Sequence, residues 1–114
     1  MSFSVSTDET VEVIHMVTKN EARKYLSDVA PEQCFWVNNG PILKNLDELA
    51  SMLPELNDEI FNHHVNNEKN DFSNWVRDVI GDQALANDLL SSKSKYSALN
   101  KIKNRLNSLK KKAG

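Results

Sequence analysis

Two adjacent histidines, His63 and His64, precede Asp71, and Asp78 follows seven residues after that aspartate. Imidazole and carboxylate together suggest either a metal site or proton transfer. His64, Asp71 and Asp78 would face one another across a helical hairpin, and a metal here would have to use them. The spacing argues against it. A zinc ion wants three or four ligands in tetrahedral array, and the His-His pair lacks the HExxH separation. Neighbouring helical residues point about 100° apart, so both rings cannot easily reach one ion. Cys34 is the single cysteine, so no second thiolate exists. The expectation is therefore no metal and no cofactor. His64 is expected on the Ile60 side of its helix, partly buried and hydrogen-bonded to a neighbouring helix cap, with His63 exposed.

Other catalytic patterns are weaker. Cys34 with His15 is a conceivable nucleophile pair, but nothing near them orients a base. With no basic neighbour, Cys34 reads instead as a buried small hydrophobe beside Phe35-Trp36. No GxGxxG, P-loop or GxSxG occurs in a chain with three glycines. The sequence assigns no catalytic residue.

The charge distribution carries more information. All 16 acidic residues lie at or before Asp88, whereas eight of the 14 basic residues lie from Lys93 onward. The net charge of −2 is thus the difference between −10 through Ser92 and +8 after it. Either the C-terminal helix docks on an acidic body or it reaches for something anionic. Lys95, Lys101, Lys103, Arg105, Lys110, Lys111 and Lys112 are the residues that would bind a protein partner or a nucleic acid. A membrane surface is not expected, because the apolar stripe of that helix has one aromatic, Tyr96.

These residues need elements to position them. The 114 residues suffice for one domain. With 39% hydrophobic and 26% charged residues, the composition is that of a soluble globular chain. No apolar run is long enough to cross a bilayer. The first residues have neither a basic n-region nor an apolar h-region, so no secretory signal is expected, and the lone cysteine fits the cytoplasm. Residues 1–10 read as a flexible tail and 11–114 as one domain. Val11–Val17 is a short strand or an irregular lead-in. Thr18 and Glu21 form a capping box for a helix to about Val29, before Pro31. Cys34–Val37 and Pro41–Lys44 are strands around an Asn38-Asn39-Gly40 turn. Asn45 caps a helix that Pro54 stops, and Asn57 caps the next. After a loop at Asn66–Lys69, Asn70 or Asp71 caps a third helix running to Ile80, with Gly81 closing it. Asp82 caps a fourth. Ser94 caps the last, over about 94–111, with Tyr96, Leu99, Ile102, Leu106 and Leu109 as its stripe.

The segments Phe35-x-x-x-Asn39-Gly40, Leu43-Lys44-Asn45-Leu46-x-Glu48-Leu49 and Phe61-x-x-His64-Val65-Asn66-x-x-Lys69-Asn70-Asp71-Phe72-x-x-Trp75-Val76-x-Asp78-Val79-Ile80-Gly81-Asp82-x-x-Leu85-Ala86 carry a resemblance. Over about residues 20 to 106 the chain resembles an uncharacterised family of small archaeal and bacterial domains of unknown function. That resemblance implies a prokaryotic single domain or attached module and brings no catalytic set. It implies that His64, Asn66, Lys69, Asn70, Asp71, Phe72 and Trp75 form one structural corner between two helices.

The fold class expected is α+β: a small β-hairpin or edge sheet against four to five short helices, with a basic amphipathic helix at the C-terminus. The function expected is a non-enzymatic cytoplasmic protein-interaction or regulatory module. The alternatives are an RNA- or ribosome-associated protein using the lysine-rich helix, and a metal-dependent activity at His64, Asp71 and Asp78. The partner expected is a protein, with RNA or the ribosome as the alternative. A homo-oligomer stays open, because an apolar stripe can close either a core or a dimer.

Overall fold

The computed structural model describes residues 17–114. The tail at 1–10, the strand reading of Val11–Val17 and His15 lie outside the described residues, except for Val17, which is not in a strand.

Local capping chemistry sets where each helix begins. Helix α1 (Lys19–Leu26) opens with the reciprocal bonds of Thr18 and Glu21. Helix α2 (Leu46–Met52) opens at Asn45, whose side chain accepts the Glu48 amide at 2.8 Å. Helix α3 (Asp58–His64) opens at Asn57, which accepts the Ile60 amide. Helix α4 (Asp71–Trp75) opens at Asn70, α5 (Gln83–Leu90) at Asp82 and α6 (Lys95–Ala113) at Ser94. Each cap satisfies an amide that the first turn leaves without a partner.

The helix ends are less regular. Helix α1 stops at Leu26 rather than Val29, because the Val29 amide is taken by the Lys44 carbonyl at 2.8 Å. Helix α4 continues into a wide π turn, Val76–Ile80, in which the Val76 carbonyl accepts the Gly81 amide at 2.7 Å. Gly81 then takes φ +91°, a backbone state that favours glycine, and turns the chain so that Asp82 caps α5.

Strands β1 (Phe35–Trp36) and β2 (Ile42–Leu43) pair antiparallel, Phe35 opposite Leu43 and Trp36 opposite Ile42. They are shorter than the four-residue strands the sequence suggests. A two-stranded hairpin cannot hold itself in water, so it must lean on helices.

Among the described residues the architecture is helix-dominated α+β, with one small antiparallel sheet and a C-terminal helix. Helix α6 packs on α1, α2, α5 and the turn at Leu53–Glu55. Ala98, Leu99, Ile102, Leu106 and Leu109 are buried along it, with Ile102 fully enclosed. Tyr96 does not join that line and is 60% exposed. From Tyr96 to Ile102 the expected stripe takes two steps of three residues. Each step falls about 60° short of a full turn, which puts Tyr96 about 120° away. Ala98, four residues before Ile102, takes its place.

Candidate functional site

The corner between α3 and α4 is built around His64. Val65 bridges to Asn70, and the Asn66 amide donates to the Lys69 carbonyl at 2.9 Å, closing the loop. The Asn66 side chain donates to the Asn62 carbonyl. Asn70 works twice: its oxygen accepts the Ser73 amide, and its nitrogen donates to the Leu89 carbonyl at 2.9 Å, tying α4 to α5. Phe35, Phe61, His64, Phe72 and Trp75 gather as one aromatic cluster with neighbouring ring centres 5.0 to 6.0 Å apart. The structure therefore brings His64, Asn66, Asn70, Asp71, Phe72 and Trp75 into one corner.

That corner holds the hairpin. His64 Nε2 accepts the Asn38 amide at 3.0 Å, beyond one end of β1. The Trp75 indole donates to the Gln33 carbonyl at 2.8 Å, beyond the other end. The β2 side is fixed by Lys44, whose amide donates to Glu48 and whose carbonyl accepts from Val29. Phe35 and Leu43 point into the core, while Trp36 and Ile42 point out, 70% and 49% exposed. A tryptophan beside an isoleucine on an open face, on strands tied at both ends of β1 and at the far end of β2, is an apolar platform.

His63, His64, Asp71 and Asp78 do not converge on one point. His64 Nδ1 meets Asp71 Oδ2 at 3.0 Å, and Lys69 reaches the same oxygen at 3.0 Å. Asp78 pairs instead with Arg77 at 2.8 Å on an exposed surface. His63 is exposed. Among the described residues, no three His, Cys, Asp or Glu side chains are arranged to hold a metal ion. Burial pushes the His64 imidazole below its ordinary value, against the opposing pull of Asp71. Burial also works against ionising Asp71, but hydrogen bonds from Lys69 and His64 outweigh it and hold the carboxyl below its usual range. Both His64 nitrogens are engaged, so the ring has no free lone pair for a substrate. Cys34 is half-buried rather than fully buried, with its thiol near the Ala30 carbonyl.

The cations of α6 divide in two. Arg105 forks onto Asp82 at 2.7 and 2.8 Å. Lys101 donates to the Asp88 carbonyl and Ser91, Lys110 to Asp47, and Lys95 to the Leu56 carbonyl. Among the described residues, Lys103, Lys111 and Lys112 have no such partner. At about 100° per residue, these three spread over half of the helix circumference and do not form one stripe.

Trp36, Ile42 and Asn38 are the residues that reading the sequence for chemistry missed. Strand alternation was the available signal: with Phe35 and Val37 inward, Trp36 must face out. No helix among the described residues is long and apolar enough to cross a membrane. The chain matches no family model, no curated protein and no solved structure.

Proposed function

We propose that this protein is a non-enzymatic cytoplasmic interaction module that uses the outer face of the β-hairpin as its contact. The observation that carries this reading is Trp36, 70% exposed beside half-exposed Ile42. Large aromatics of this kind anchor protein interfaces, and an apolar pair held on fixed strands costs little ordering on binding. The partner is another protein offering an apolar recess to Trp36.

The non-enzymatic part rests on how the polar groups are used. His64, Asp71 and Asp78 are all engaged within the fold. The contact proposed here differs from α6, whose apolar stripe faces the core. The similarity of the His64–Trp75 run to a prokaryotic family of small domains belongs to the same proposal and is compatible with an attached module.

The test is capture from native lysate with the full chain, comparing wild type with a Trp36→Ser, Ile42→Ser variant. One defined protein recovered by the wild type and lost with the variant, at unchanged cooperative unfolding, supports the reading. Equal recovery by both chains contradicts it.

A further inference from the structure

Two hydrogen bonds fix the protonation of His64. A backbone N–H only donates, so the Nε2 atom 3.0 Å from the Asn38 nitrogen presents a lone pair. The ring's one proton is then on Nδ1, which faces Asp71 Oδ2 at 3.0 Å. The folded corner therefore contains a neutral imidazole of one tautomer.

The same bond has a mechanical role. Residues 38–40 form the hairpin tip, and within the hairpin they are held by the Gly40 amide on the Val37 carbonyl. Among the described residues, the bond from Asn38 to His64 is the only hydrogen bond joining that tip to a helix. The rest of the hairpin has other ties, at Gln33 to Trp75 and at Lys44 to Val29 and Glu48. The tip also walls a cleft of about 640 Å³, shared with Asn57, Glu59, Ile60, Asn62 and His63.

We propose that His64 is a proton-sensitive latch for the hairpin tip, closed on Asn38 while the ring is neutral and open when it is protonated. A proton on Nε2 sets two N–H groups against each other, so the contact to Asn38 must part. The Asp71 carboxylate keeps the ring's other side anchored and stabilises the imidazolium. Opening is therefore local to residues 38–40.

The groups that act on the ring come from each packed element. His63 on α3 stands edge-on with ring centres 5.0 Å apart. Asp71 and Phe72 face it from α4, and Lys69, paired with Asp71, adds its own charge from the loop before α4. Phe35 faces it from β1. Asp71 favours the proton, while burial, His63 and Lys69 oppose it. The latch thus stays closed at neutral pH and opens only below the ordinary histidine value, whichever partner the hairpin face takes.

The test follows His64 ring nitrogens and Asn38 amide protection by NMR on the full chain, from about pH 7 downward until the His64 ring is protonated. At neutral pH the ring should be the Nδ1–H tautomer. As His64 titrates, the Asn38 protection factor should fall about tenfold or more at the same midpoint, while Phe72 and Ile102 amides stay protected. A cationic or Nε2–H ring at neutral pH overturns the proposal. So does Asn38 protection that is unchanged through the titration, or lost together with Phe72. A His64→Gln variant should lose the pH response at Asn38, and a retained response also overturns the latch. If that variant does not fold, the wild-type titration decides.

Discussion

Arg105 of the C-terminal helix grips Asp82 with two hydrogen bonds, 2.7 and 2.8 Å long, and Asp82 is only 1% exposed. The same carboxylate accepts the Leu85 amide as the cap of α5. One side chain thus begins α5 and holds α6. The contrast between an acidic body and a basic last segment is here resolved by a helix docking on the body, through a bidentate pair that lysine could not copy.

Removing Arg105 should be costly. Arg105→Ala leaves the buried Asp82 carboxylate without its cation and should cost about 3 kcal/mol or more. Lys110 and Asp47 form a pair whose side chains are each about half exposed, so Lys110→Ala should change stability by about 0.5 kcal/mol or less. Urea unfolding of the two variants checks the contrast.

The apolar stripe of α6 should matter for folding rather than for partners. Ile102 is fully enclosed, and Ile102→Ala should cost about 2–5 kcal/mol. A chain ending at Ser92 should lack a cooperative thermal transition in calorimetry, because it lacks Leu99, Ile102, Leu106 and Leu109.

The two tryptophans should behave oppositely. Trp36 is exposed, while Trp75 is buried in the aromatic cluster. Trp36→Ser should shift stability by about 0.5 kcal/mol or less, and Trp75→Ala should cost about 3–5 kcal/mol. Acrylamide should quench the fluorescence that Trp36→Ser removes and leave the Trp75 emission largely untouched.

Acid should weaken the fold through His64. Its folded value lies below the ordinary 6.5, so above about 6.5 both folded and unfolded chains hold it neutral and the contribution is complete. As pH falls, the unfolded chain takes the proton first, and stability is lost until the folded ring also titrates. Asp71 acts in the same direction further down, since its folded value lies below 3.8. Denaturant midpoints should therefore fall between about pH 7 and pH 5, and by less in His64→Gln.

Much of this fold is legible in the sequence because its signals are local. Thr18, Asn45, Asn57, Asn70, Asp82 and Ser94 each bond an amide three residues on, so their type and position suffice to mark a helix start. Gly81 is readable for the same reason. His64, expected to bond a neighbouring helix cap, bonds instead Asp71, the first residue of α4, while Asn70 is the cap. What distance in sequence conceals is which partners meet. Asn38 and His64 are 26 residues apart, Trp75 and Gln33 are 42, and Lys110 and Asp47 are 63. Nothing in a lysine-rich run distinguishes Lys101, drawn to the end of α5, from Lys103, which has no partner among the described residues. Nor does composition reveal the π turn at Val76–Ile80, which depends on how the chain must exit towards Asp82.

The most direct measurement is the salt dependence of binding between the purified protein and its captured partner, from about 50 to 300 mM salt after nuclease treatment. Two variants accompany the wild type: Trp36→Ser with Ile42→Ser, and Lys103, Lys111 and Lys112 each changed to Gln. An apolar hairpin contact predicts affinity that changes little with salt, survives the lysine changes and is lost with Trp36 and Ile42. Affinity that falls steeply with salt, or is lost with the lysines while the hairpin variant still binds, would contradict it and place the contact on the basic helix.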